Sequence, residues 1–175
     1  ILTPEPEAAE DDVNWMFSFA QAIKALPLVV SPERHDYAVA AISHVPHVIS
    51  ASLVNLVRES DDASQFMKTI AAGGFKDITR IASSSAAMWQ QICLTNTSNI
   101  SRLLGDYITS LQTIKEQLDS KQADCLYQLF DDARIYRDSF AGDSSGPIKV
   151  SYTLNVDISD ETGALAAIAT LLALK

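Results

Sequence analysis

Two histidines three residues apart, His44 and His47, stand in a stretch, Tyr37–Val57, whose 21 residues include no Asp, Glu, Lys or Arg. On a helix that spacing projects both rings from neighbouring faces. His35 lies earlier on the same predicted helix. A second pair, Asp77 and Arg80, directly follows Gly73-Gly74. An arginine offers a planar fork of donors that matches a carboxylate. An aspartate nearby can orient that fork, and glycine lets backbone approach a ligand closely. Blander readings stand beside this one. The histidines fit equally well as core residues with satisfied nitrogens, and Asp77–Arg80 as a weak surface ion pair. A metal would need three or four ligands. His44, His47 and Asp77 supply three, but no Glu neighbours the pair as it does on zinc hydrolase helices. The sequence has no G-x-G-x-x-G turn after a strand and no Walker loop. No Ser/His/Asp or Cys/His set emerges from spacing. The residues alone describe a helical site for a small anion, without a cofactor site of its own.

Composition narrows the partners. The chain has 175 residues, 47% of them hydrophobic, and a net charge of −9. Such a surface repels phosphate backbones, so no nucleic acid is expected. Local cations can still form an anion pocket. Cys93 and Cys125 sit in apolar helical contexts, which suggests two buried free thiols and a reducing, cytoplasmic setting. Ile1–Asp12 is acidic and proline-containing, unlike a signal peptide. Tyr37–Val57 is long enough to cross a bilayer. Yet it carries His44, His47, Asn55, Pro46 and three serines, which are costly in lipid. It is expected to be the central, fully surrounded helix of a soluble core, with no membrane.

The elements that must hold these residues are mostly helical. Val13, Met16, Phe17, Ala20 and Ile23 predict a first helix over about 8–26. Ser31-Pro32-Glu33 predicts a helix start with Ser31 as cap, and the helix should run to about Glu59, kinked at Pro46. Asp61-Asp62 should open a helix to about Ala72. Gly73-Gly74 should interrupt it, with further turns over 76–82 and a helix over 86–94. Ile100, Leu103, Leu104, Tyr107, Ile108, Leu111, Ile114 and Leu118 keep the helical period, and Leu126, Leu129, Phe130, Ala133 and Phe140 follow past a break at Asp119-Ser120. Two such helices suggest an antiparallel hairpin. Residues 142–147 read as a linker. Beyond it Val150, Tyr152, Leu154, Val156 and Ile158 alternate like a strand, followed by a turn and an apolar helix. The expected organisation is a helical domain over 1–141, a linker over 142–147 and a partial second unit over 148–175. One strand and one helix are too few for a stable core, so that unit is either cut short or completed elsewhere.

The run His44-Val45-Pro46-His47, with Ala72-Gly73-Gly74-Phe75-Lys76-Asp77-Ile78-Thr79-Arg80-Ile81-Ala82 and Met88-Trp89, resembles the prephenate dehydrogenase family. The likeness extends upstream, where Ile1-Leu2-Thr3-Pro4 resembles the segment leaving the family's nucleotide-binding domain and His35-Asp36 opens the second helix. Downstream, 99–137 resembles its paired long helices. It covers about Ile1–Phe140. The resemblance implies an all-helical dimerisation domain, similar to the C-terminal domain of 6-phosphogluconate dehydrogenase. That domain would complete an active site against a Rossmann domain absent from this chain. The activity implied is oxidation of prephenate with NAD or NADP to 4-hydroxyphenylpyruvate and carbon dioxide, in tyrosine biosynthesis. Some members act on arogenate.

By that resemblance Arg80 holds a prephenate carboxylate and His47 contacts substrate. Asp77 joins an ionic network near the cleft, and Gly73 contributes a backbone contact. Trp89 reaches the site from the partner subunit of a homodimer, and His44 accompanies His47. The implied catalytic histidine lies in the missing domain, so no catalytic residue is expected here and the fragment alone should be inactive. Ala86 and Gln91 depart from the proline and aspartate that many members carry. Residues 152–172 resemble the start of an ACT domain, with Thr162-Gly163 replacing proline-glycine. This implies a partial α+β segment and raises L-tyrosine as a feedback ligand. A non-catalytic amino-acid-sensing dimer and a metal-binding helical protein are the competing functions.

Overall fold

The structure is a computed structural model and describes residues 1–140 and, beyond them, Gly163, Ala164, Ala166 and Thr170. The chain divides into two compact units, Ile1–Asp131 and Asp132–Lys175. In chain order the elements are α1 (Glu10–Ala22), α2 (Pro32–Val39), a π-helical turn (Ala40–His44) and α3 (Val45–Ser60). Then come α4 (Phe66–Ile70), α5 (Gly73–Thr79), a 3-10 turn (Arg80–Ser83), α6 (Ala86–Thr95), α7 (Thr97–Asp119) and α8 (Ala123–Ser139). Among the described residues the only β pairing is a parallel bridge between Leu2 and Val29. It joins the N-terminal segment to the stretch before α2: Leu2 N–H donates to the Leu28 carbonyl at 2.8 Å, and Val30 N–H to the Leu2 carbonyl at 3.1 Å. The linker and the strand signal of 148–158 lie outside the described residues.

Helix ends follow local chemistry. Ser31 caps α2 through a bond from the Arg34 N–H, with Pro32 in the first turn. α1 stops earlier than the apolar pattern suggests. Lys24 takes a left-handed φ of 62°, and Lys24 and Ala25 return their N–H groups to the carbonyls of Gln21 and Ala20. That pairing is a Schellman closure. The same closure ends α7 at Lys121, φ 53°, bonded back to Leu118, with Gln122 to Gln117. Asp61-Asp62 does not begin a helix. Asp61 instead accepts the N–H groups of Met67 and Lys68, while Asp62 accepts that of Ser64. Carboxylates satisfying nearby backbone donors favour a turn over a helix, so α4 starts only at Phe66. Gly73-Gly74 does not interrupt a helix either, because it forms the first turn of α5.

The predicted kink at Pro46 takes the form of a π-turn. Pro46 has no N–H and its ring crowds the carbonyl four residues back. One extra residue is accommodated just upstream, where Val45 N–H bonds the Ala40 carbonyl, five residues earlier. Around this turn sits the small core: Ala40 (0% exposed), Val45 and Ile100, with Ile49, Cys93 and Leu103 against it. The Arg102 guanidinium lies 4.9 Å from the centre of the Tyr37 ring and links α7 to α2.

Pro32–Ser60 is long and apolar enough to cross a membrane by length and composition. Within this chain it is not fully surrounded as expected. Ala40, Val45 and Ser50 are buried, but Ile42 is 78% and Leu56 60% exposed, because neighbouring elements cover one face only. Ile108, Leu111 and Leu118 of α7 and Tyr127 and Phe130 of α8 also stay exposed. Cys125 is exposed, contrary to expectation, because it belongs to that open stretch of α8, whereas Cys93 is half-buried. Within the second unit, Arg134 pairs with Asp138 one turn on, and the Tyr136 and Phe140 rings meet edge-on at 4.8 Å.

With so few buried apolar side chains, each should matter. Replacing Ile100 by Ala should lower stability by about 2–4 kcal/mol, read as a lower urea midpoint with an unchanged slope.

Candidate functional site

His44 closes the π-turn, and His47 occupies the first turn of α3. Both rings meet Trp89 of α6. The indole stacks on His47 with centroids 3.6 Å apart and planes 24° from parallel. It meets His44 edge-on at 6.1 Å. His47 Nδ1 lies 3.0 Å from the Ser43 carbonyl. A carbonyl only accepts, so that nitrogen carries the hydrogen and Nε2 keeps a lone pair. The Trp89 Nε1–H is buried without a hydrogen-bond partner among the described residues. A buried donor of this kind calls for an acceptor.

Beside the stack lies a cavity of about 690 Å³. One wall is a continuous face of α3 containing His47, Val48, Ala51, Ser52, Asn55, Leu56 and Glu59. Across it stand Ile81 and Ala82 of the 3-10 turn, Ser84 just after it, and Ala86, Trp89, Gln90 and Cys93 of α6. An apolar cleft with a few placed polar groups suits a small organic ligand.

Ser50, one turn beyond His47 and 2% exposed, donates to the Ile78 carbonyl at 3.3 Å. Thr79 Oγ1 in turn donates to the Phe75 carbonyl at 2.5 Å. The Ser50 bond fastens α5, which carries Gly73 and Asp77 and leads into Arg80, to the helix that carries His47, while the Thr79 bond lies within α5. Sequence spacing gave no sign of this tie.

The structure thus brings His44, His47 and Trp89 together. The other expected residues are placed differently. Arg80 is exposed and does not line the cavity, although the next two residues, Ile81 and Ala82, do. No ion pair joins Asp77 to Arg80 among the described residues, and both side chains face solvent, where water competes for the charges. Gly73 is exposed in the first turn of α5, and a Cβ there would meet nothing within 4 Å. The indole stacks on a histidine of its own chain. Among the described residues no group of three His, Cys, Asp or Glu side chains could hold a metal ion.

Sequence reasoning missed Asn96. Its amide Nδ2 donates to the Asp36 carbonyl at 2.8 Å and lies 3.3 Å from His44 Nδ1. The only local signal was an asparagine between two helices, which reads as a cap. Its partners are 52 and 60 residues away in sequence.

Residues 31–132, more than half the chain, match the family model described as prephenate dehydrogenase, dimerization domain. The chain belongs to that family. Among curated relatives, prephenate dehydrogenase of Bacillus subtilis (strain 168) is 36% identical over 173 residues, covering 99% of this chain and 47% of that protein. Cyclohexadienyl dehydrogenase of Zymomonas mobilis is 29% identical over 138 residues, covering 78% of this chain and 47% of that protein. The crystal structure of prephenate dehydrogenase from A. aeolicus, in complex with hydroxyphenyl propionate and NAD+, superposes with a TM-score of 0.74. It has 27% identity and covers 79% of this chain and 48% of that one. This member of the dimerization-domain family therefore spans about half the length of the curated relatives it matches.

His44 is held below its ordinary value of 6.5, chiefly by burial and then by His47 and His35, against the opposing pull of Asp36. As pH falls, the unfolded chain takes up this proton before the folded one does. The neutral ring's contribution is therefore complete above about pH 6.5 and is lost as pH drops towards the folded value. The melting temperature should decline on acidification from pH 7.5 to 5.5, and His44→Asn should flatten part of that decline in parallel calorimetric scans.

Proposed function

We propose that this chain is the substrate-binding and dimerisation half of an enzyme that oxidises prephenate with NAD. The products are 4-hydroxyphenylpyruvate, carbon dioxide and NADH, on the route to tyrosine. The observation that carries the reading is the Ser50 tie, which fixes the segment leading to Arg80 against the helix bearing the His47–Trp89 wall. A cation, a histidine pair and an orphaned indole N–H are the equipment a dicarboxylate needs.

In this reading Arg80 takes one carboxylate in a forked contact. His47 fixes the far end of the substrate, and Asp77 completes the charge balance at the cleft. Gly73 leaves space for a ligand or second chain to approach the backbone. Trp89 holds the His47 ring in place and excludes water from one face. NAD supplies the hydride acceptor when bound. The chain contains no glycine-rich dinucleotide fingerprint, so its binding falls mainly to a separate nucleotide domain. Loss of carbon dioxide restores an aromatic ring, so orientation rather than acid–base strength is what this half contributes.

The exposed apolar faces of α7 and of the start of α8 support association with a second copy. A soluble, cytoplasmic homodimer is the form this reading gives the protein. Arogenate in place of prephenate and NADP in place of NAD are the closest variants of it. The domain plan keeps 1–141 as the helical unit, 142–147 as a linker and 148–175 as the beginning of an ACT-like module.

In the full-length protein, Arg80→Ala should raise KM for prephenate by about 10- to 100-fold, the worth of a hydrogen-bonded charge contact, with a smaller change in kcat. An unchanged KM would remove Arg80 from the site. Calorimetry with L-tyrosine separates the enzyme from a sensing module: a sensor binds tyrosine while showing no turnover of prephenate or arogenate, whereas the proposed enzyme turns one of them over.

A further inference from the structure

We propose that Asn96 is a positioning residue that locks His44 as the neutral Nε2–H tautomer, so that the free nitrogen of neutral His44 is a hydrogen-bond donor and that of neutral His47 an acceptor. This deepens the functional reading above and rests on it for the claim that the two rings meet a ligand.

The orientation of the Asn96 amide is fixed by two contacts. Nδ2 donates to the Asp36 carbonyl at 2.8 Å. Oδ1 accepts from Asn99 Nδ2 at 2.8 Å. Turning the amide over would set oxygen against oxygen at the first and nitrogen against nitrogen at the second. The atom 3.3 Å from His44 Nδ1 is therefore an N–H donor. The ring nitrogen that receives it must hold a lone pair, so in the neutral ring the hydrogen sits on Nε2. His47 is set the opposite way by the Ser43 carbonyl at its Nδ1. Neither Nε2 has a hydrogen-bond partner among the described residues, and neither is buried as an orphan.

The surroundings agree with a neutral His44. The charged or titratable groups acting on it are Asp36 and His35 of α2 and His47 of α3. From α6 it meets Trp89, and from the junction of α6 and α7 Asn96, both uncharged. Two rings three residues apart, locked in opposite tautomers, suit a ligand that offers an oxyanion or carbonyl to one and a hydroxyl or ammonium to the other. A lone carboxylate would use only half of the pair.

The test is two-bond 1H–15N spectroscopy of the full-length protein labelled with 15N in histidine, with His35→Gln used for assignment. At pH 7.5 His44 should show a protonated Nε2 and an unprotonated Nδ1, and His47 the reverse. Asn96→Asp replaces the donor with an acceptor of the same shape and should raise the midpoint of the His44 titration by about one pH unit or more. A protonated Nδ1 on neutral wild-type His44 overturns the proposal, and this spectrum requires no variant to fold. An unmoved His44 midpoint in folded Asn96→Asp overturns it too. The expected spectra together with a failure to turn over prephenate would retire the substrate assignment and leave this inference standing.

Discussion

A proline that cannot donate a hydrogen bond sits at the centre of the molecule. Pro46 denies the long second helix one rung of its ladder, and the backbone absorbs the mismatch as a π-turn over Ala40–His44. The consequences are local and chemical. The extra residue sets the angular offset between His44, which closes the turn, and His47 just beyond it. It also puts Ala40 and Val45 into the small core against Ile100. The two histidines, the indole that touches both and the apolar contact that anchors them all depend on this one irregular turn.

The rest of the framework is thin for a chain of this size. Few apolar side chains are fully buried, while apolar residues of α7 and α8 face outward. An isolated domain normally removes most of such surface from water. A fold with this balance gains much of its stability from whatever covers those faces, as a family described by its dimerization domain would. Polar ties do the precise positioning. Ser50 to the Ile78 carbonyl and Asn96 to the Asp36 carbonyl each join segments far apart in sequence. Each is a directional bond at the edge of the site rather than a contribution to bulk burial.

The site follows from these ties. The α3 face bearing His47 forms one wall, residues 81–84 and α6 form the other, and the stack of Trp89 on His47 joins the two beside the cavity. Arg80 is exposed and stands outside the cavity lining, next in sequence to Ile81, which belongs to it. The same exposure leaves it unpaired with Asp77, in contrast to the orienting contact that their spacing suggested.

Much of this was written into the sequence. The charge-free stretch with two histidines, the Ser31-Pro32 helix start and the helical period of 100–118 all follow from side-chain periodicity and turn chemistry, which act over a few residues. The string around Gly73–Ala82 carried the family. The helix end before Lys24 was less legible, since a left-handed lysine leaves no mark in composition, whereas α7 ends at Asp119, where Asp119-Ser120 marked a break. The idle Asp61-Asp62 start misled for a related reason: a carboxylate can cap a helix or satisfy a turn, and only the folded backbone chooses. Tertiary structure alone decided that the kink would be a π-turn, that Trp89 would stack on His47, that Arg80 would stand outside the cavity lining and that Asn96 would reach His44. Those outcomes depend on contacts between residues tens of positions apart. Such contacts are set by how faces pack together and not by any local preference of the chain.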